Sequence, residues 1–118
     1  MTEKPTIEHL RKRPDFLAAA ASGLSQARGA VVVQARDRAD GEALIRVGFT
    51  ATKRIGGAVV RNRAKRRLRE AARALVPLHG KPGHDYVFVA RAGTPGRPWA
   101  RLLDDVKSAL IRLAPTDV

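Results

Sequence analysis

Between Ile45 and Ala51 apolar and polar positions alternate: Ile45, Val47, Phe49 and Ala51 fall on one side of an extended chain, Arg46, Gly48 and Thr50 on the other. Successive side chains of a strand point to opposite faces, so this run predicts a strand with one buried side. Upstream, Val31, Val32 and Val33 predict a strand within Gly29 to Asp37, because β-branched side chains suit an extended backbone. Asp40-Gly41 reads as a turn between the two, and the pair is expected to form an antiparallel hairpin. Tyr86 to Ala90 is a nearly continuous apolar run of strand length, suited to the centre of a sheet.

Elsewhere the spacing is helical. Val60, Ala64, Leu68, Ala71, Ala72 and Leu75 recur at intervals of three and four, predicting a helix that begins between Ala58 and Asn62 and stops at Val76-Pro77. Leu78 to His84 carries two Gly and a Pro and reads as a loop. Pro98 opens a last helix with Trp99, Leu102, Leu103, Val106, Leu110 and Leu113 in one apolar stripe, which assigns Trp99 to the core. Near the start, Pro14 and Asp15 suit a first helical turn, followed by Phe16, Leu17 and Ala18 to Ala21, with Gly23 as the stop. Residues 1–12 are polar and basic, with Arg11-Lys12-Arg13 in a row, and are expected to form a mobile arm. The order is helix, two strands (three if the first is split), helix, strand, helix. One antiparallel-rich sheet with helices packed on it, a single α+β domain over residues 1–118, is the economical solution.

Composition sharpens this. At 44% apolar residues the chain can bury a core, but with 4% aromatics that core is built from Val, Leu, Ile and Ala. Without cysteine there is no disulfide, thiolate metal site or thiol nucleophile. The N-terminal residues carry no apolar signal segment and no run reaches membrane-spanning length, so a cytoplasmic location is expected. Charge changes the picture most. Twenty-three Lys and Arg face eleven Asp and Glu, a net +12, and so strong a potential on a small surface calls for a polyanion.

The charge is concentrated. Lys53, Arg54, Arg61, Arg63, Lys65, Arg66, Arg67, Arg69 and Arg73 lie within one stretch that only Glu70 opposes. At about 100° per residue, Lys65, Arg66, Arg69 and Arg73 fan across the helix opposite Ala64, Leu68, Ala71 and Leu75, with Arg63 and Arg67 on the flanks. Glu70 is spaced to pair with Arg66 or Arg73. Arginine outnumbers lysine here; its planar fork meets a phosphate with two hydrogen bonds and stacks on bases. Gly56-Gly57 allows a sharp turn or a close approach before the helix. A plain solvated face is the alternative, and one-sided clustering with an arginine bias argues against it. A membrane-surface helix would need larger apolar residues than Ala and two Leu opposite the charges.

The run from Val47 to Glu70 resembles the signature of the bacterial ribonuclease P protein component. The resemblance rests on Lys53-Arg54-Ile55-Gly56-Gly57, on Arg61-Asn62-Arg63, and on Lys65-Arg66 and Arg69-Glu70. Asp15-Phe16, Gly23 and Tyr86 to Arg91 extend it over residues 10 to 113. It implies an α+β sandwich with a left-handed βαβ crossover, like the second domain of a small-subunit ribosomal protein. It also implies a ribonucleoprotein endonuclease that removes the 5′ leader from precursor tRNA, in which the RNA subunit holds Mg²⁺ and carries the catalytic groups. The partners implied are that catalytic RNA and precursor tRNA. By position, Arg61, Asn62, Arg63, Lys65, Arg66 and Arg69 would contact the RNA subunit, and Lys53, Arg54 and Arg73 belong to the same RNA-binding surface. Phe16 and Phe49 would line the leader cleft, between the first helix and the sheet. Two departures bear on that cleft: Ala20 and Gln34 stand where the family often has aromatics. Gly57 replaces a common Asn at the helix start.

Other chemistries have weaker support. Asp104 and Asp105 point a quarter-turn apart, Asp37 and Asp40 flank a turn, and His9, His79 and His84 are scattered, so no carboxylate cluster for a protein-held metal or general acid stands out. Phe16 and Phe49 serve as core aromatics equally well. The remaining alternative is a general RNA- or DNA-binding module without a part in catalysis, which would not require Arg61-Asn62-Arg63.

Overall fold

The computed structural model describes residues 6–113. In order these form β1 (Ile7–His9), α1 (Arg13–Ala21), β2 (Leu24–Arg28), β3 (Val31–Asp37), β4 (Ile45–Thr50), α2 (Ala58–His79), β5 (His84–Ala90) and α3 (Trp99–Leu113). Single turns of 3₁₀ helix at Lys53–Ile55 and Thr94–Gly96 lead into α2 and α3.

The five strands form one sheet in the order β1-β4-β5-β3-β2. The expected hairpin between the Val31 and Ile45 strands is not formed: β5 lies between them, parallel to β4 and antiparallel to β3. Two features explain this. Residues 38–44 form a connection too long for a tight turn. In β5, moreover, Asp85, Tyr86, Val87 and Phe88 are all buried, so it offers apolar side chains to both faces and takes the place where both are covered. The hairpin that does form joins β2 to β3 across Gly29-Ala30. β2 corresponds to no apolar run in the sequence.

A second difference lies at the start. Ile7–His9 is a strand parallel to β4, and the Leu10 N–H donates to Val47 O at 2.7 Å while the Leu10 side chain is buried. Residues 7–10 are therefore part of the sheet and not of a mobile arm; residues 1–5 lie outside the described part.

The alternation in β4 assigns its two faces. Ile45 and Val47 join Val31, Val33, Tyr86 and Phe88 against α2 and α3, whose buried residues include Ala64, Leu68, Ala71, Val76, Leu102, Val106 and Leu110. The alanines of α2 let helix and sheet approach closely. On the other face α1 packs alone, burying Ala19 with Leu10 and Val87, with Phe16 and Val89 packed against them. α2 joins the adjacent parallel strands β4 and β5, so the basic segment is the crossover itself. It runs past Pro77 to His79: so near the end of a helix a proline removes only one bond, and Gly80 N–H closes the turn on Val76 O at 2.7 Å.

Candidate RNA interface

The basic helix is docked as the spacing predicted. Ala64, Leu68, Ala71 and Val76 are 0% exposed, while Asn62, Arg63, Arg66, Arg69 and Arg73 are exposed. Arg73 lies 3.6 Å from Glu70, a pairing that leaves both largely in water and so is weak. Lys53 and Arg54 are exposed in the 3₁₀ turn that precedes the helix. That turn depends on Gly56. Its φ is +141°, and a Cβ there would stand 2.9 Å from Val60 Cβ, so both conformation and space require glycine. Gly57 caps α2 without a side-chain bond, and nothing crowds it. The substitution for Asn therefore leaves the cap to the backbone.

Not every cation of the cluster is available to a ligand. Arg61 is half-buried and donates to Gly56 O at 3.3 Å, tying the helix to the turn. Lys65 is also half-buried. Arg67, expected on the flank of the basic face, is turned into the protein. Its Nη1 donates to Thr94 O at 2.7 Å and Pro95 O at 2.9 Å, and its Nη2 to Arg97 O. Three backbone carbonyls replace a phosphate as its partner. Sequence spacing could not reveal this, because the acceptors lie on a distant loop.

Phe16 and Phe49 are not brought together. Phe49 stacks on Phe88, ring centroids 5.4 Å apart, on the α2 side, with the Arg69 guanidinium 5.7 Å from its ring centroid. Phe16 lies on the α1 side, over Gly48. The resemblance's cleft between first helix and sheet therefore includes Phe16 and excludes Phe49, because adjacent β4 residues face opposite ways. Around α1 the sheet presents Val32, Gln34, Thr50 and Val89, all half-buried, while Leu17 and Ala20 on the helix are exposed.

At the N-terminal end of α1 lies a second charged surface, where residues of the Arg11-Lys12-Arg13 row meet arginine–carboxylate contacts that the sequence did not disclose. Arg46 and Arg36 come from the α1 face of β4 and β3, beside a hollow that Arg46 lines with Arg11, Lys12, Glu8 and Asp15, and Asp15 lies 3.4 Å from Arg46 and 3.8 Å from Arg36. Buried Asp85 anchors it. Arg46 Nε and Nη2 each donate to its carboxylate at 2.8 Å, and Arg38 Nη1 donates at 2.9 Å. Burial alone would push this carboxyl up, but those hydrogen bonds outweigh it and hold Asp85 below the usual carboxylate range. The available signal was an arginine within the alternating strand at position 46. Its partner, 39 residues on, was not legible.

Among the described residues no group of three or more His, Asp or Glu is placed to hold a metal ion, and no helix is long and apolar enough to cross a membrane. Asp105, of the adjacent Asp104-Asp105 pair, is taken up by Arg97 and the Ala30 N–H.

The Ribonuclease P family model matches residues 5–114. This chain belongs to the ribonuclease P protein family. It is 67% identical over 118 residues to the ribonuclease P protein component of Caulobacter vibrioides, covering 97% of this chain and 78% of that one. Identity to the component of Ruegeria pomeroyi is 56% over 109 residues, 91% of this chain and 86% of that one. Its fold matches the RNase P protein from Thermotoga maritima with a TM-score of 0.76 at 27% identity, over 91% of this chain and 98% of that one. The α+β architecture is thus the family's. Proteins of this family are subunits of an RNA-dependent endoribonuclease that processes the 5′ end of tRNA, with catalysis in the RNA subunit, and this chain is such a subunit.

Proposed function

We propose that the chain divides its two RNA partners between the two faces of its sheet. The exposed side of α2, with Asn62, Arg63, Arg66, Arg69 and Arg73, meets the catalytic RNA, and Lys53 and Arg54 extend that contact from the preceding turn. The observation that carries this is the docking of α2: Ala64, Leu68, Ala71 and Val76 are fully buried, which leaves Arg63, Arg66, Arg69 and Arg73 facing outward while Arg67 alone is turned into the protein. Arg61 and Lys65 contribute from half-buried positions, Arg61 by bracing the turn.

The 5′ leader of precursor tRNA lies on the opposite face, beside α1, over Phe16, Val32, Thr50 and Val89. With Ala20 and Gln34 in place of aromatics this surface offers little stacking, worth about 1–3 kcal/mol per base where present. Leader binding therefore leans on the exposed cations at its end, Arg11 and Lys12, with Arg36 beside them, while Arg46 is held by Asp85 and Asp15. Magnesium belongs to the RNA subunit in this reading, and the assembled enzyme to the cytoplasm.

The test is reconstitution. Mixed with a bacterial catalytic RNA at low magnesium, the chain should stimulate cleavage of precursor tRNA. Stimulation should fall when Arg63 and Lys65 are both replaced by Ala, with the fold intact. A protein that binds RNA but gives no stimulation would instead be a general RNA-binding module.

A further inference from the structure

The chain's only tryptophan opens α3, and the basic helix reaches it. The apolar stripe predicted Trp99 in the core, yet it is 43% exposed. The Arg67 guanidinium lies 5.8 Å from its ring centroid. Because Arg67 is pinned to the carbonyls of Thr94, Pro95 and Arg97, a fixed planar cation stands over the indole at cation–π distance, while the residue is left partly in water. Arg63, one turn earlier on α2, and Arg101, two residues past Trp99, are both exposed.

We infer that Trp99 is a stacking platform for one unpaired nucleobase of the RNA subunit, with Arg67 as the positioning residue that holds the ring. An indole offers the largest π-face among side chains, and stacking accepts any base. A ring fixed before binding loses little freedom on contact. The exposed cations on either side suit the phosphates that flank a splayed base. If Trp99 only sealed the seam between α2 and α3, any apolar side chain of similar bulk would serve, and so large a part of it would not be left in water.

The inference rests on the reading that α2 faces the RNA subunit, and the experiment separates the two. The full chain is titrated with catalytic RNA while binding is followed by a label on the RNA and, independently, by the emission of Trp99. Emission should be quenched in step with binding, a readout that requires no variant. Trp99→Leu, which keeps apolar bulk, should weaken RNA binding roughly 5- to 150-fold with little change in melting temperature, whereas Trp99→Phe stays within a few-fold of the parent. In Arg67→Lys the quench at full RNA occupancy should be incomplete, a spectroscopic change that lost stability alone does not produce. Tight RNA binding with unchanged emission and an unimpaired Trp99→Leu variant overturns the platform and leaves the α2 interface standing. Quenching by precursor tRNA alone, and not by the catalytic RNA, overturns the choice of occupant. No RNA binding at moderate salt removes both readings.

Discussion

Arg46 grips Asp85 with a two-pronged fork across neighbouring strands, Nε to one carboxylate oxygen and Nη2 to the other, both at 2.8 Å. Arg38, itself only 5% exposed, adds a third bond at 2.9 Å, and Arg36 approaches to 3.8 Å. One buried carboxylate thus organises three arginines where β3, β4 and β5 meet. Removing it leaves Arg38 with Asp40 and Arg46 with the longer contact to Asp15 as their remaining carboxylate partners, so Asp85→Ala should cost about 3–5 kcal/mol, measured by urea denaturation at neutral pH.

The same group gives a pH dependence of definite sign. Its pKa is lower in the folded chain than in the unfolded chain, so the unfolded state binds the proton first. The stabilisation is present above the ordinary aspartate pKa of about 4 and is lost as pH falls below it, through the depressed folded value. Denaturation midpoints should hold from neutral pH to about pH 4 and then drop. In a variant lacking Asp85 the acid limb should be shallower; an identical limb would mean the fork is not formed in solution.

Arg66 and Arg67 are adjacent in sequence and opposite in role. Arg67→Ala leaves three backbone carbonyls of the 94–97 segment without their donor, at a cost of about 1.5–3 kcal/mol. Arg66→Ala touches only an exposed side chain, and its stability should stay within about 0.5 kcal/mol of the parent. Parallel denaturation curves decide it, and equal shifts would contradict the arrangement.

Gly48 makes room for Phe16. A Cβ at this position would lie 2.6 Å from two atoms of the Phe16 ring, so Gly48→Ala must displace the ring, at about 1–3 kcal/mol. Precursor tRNA affinity should fall in this variant while affinity for the catalytic RNA is unchanged, and Phe16→Leu should restore part of the stability. Equal decreases toward both RNAs would mean the two faces are not divided as proposed.

Affinity for the catalytic RNA should fall steeply with salt, because each neutralised phosphate releases counterions. Replacing both Arg66 and Arg69 by Ala should lower the slope of log K against log salt by roughly 0.7–0.9 for each phosphate that is no longer neutralised. A flat response in the parent protein would remove the electrostatic account. Leu68→Ala, on the buried side of the same helix, should instead cost about 2–5 kcal/mol of stability and leave that slope unaltered.

What could be read along the chain was whatever a short window enforces. The three- and four-residue spacing of α2 and α3, the alternation of β4 and the apolar run of β5 follow from backbone geometry, which repeats locally. The buried and exposed sides of α2, and with them the surface proposed to meet RNA, follow from that spacing, Arg67 excepted. β1 and β2 were not legible, because three or five mostly polar residues are held in a strand by their partners and not by their own preference. Strand order, the seat of β5 between β3 and β4, and the opposite sides taken by Phe16 and Phe49 depend on which distant segments meet. So do the pinning of Arg67 by a loop nearly thirty residues away and the exposure of Trp99. A guanidinium or an indole takes its role from whatever arrives beside it, and that is decided only when the chain closes on itself.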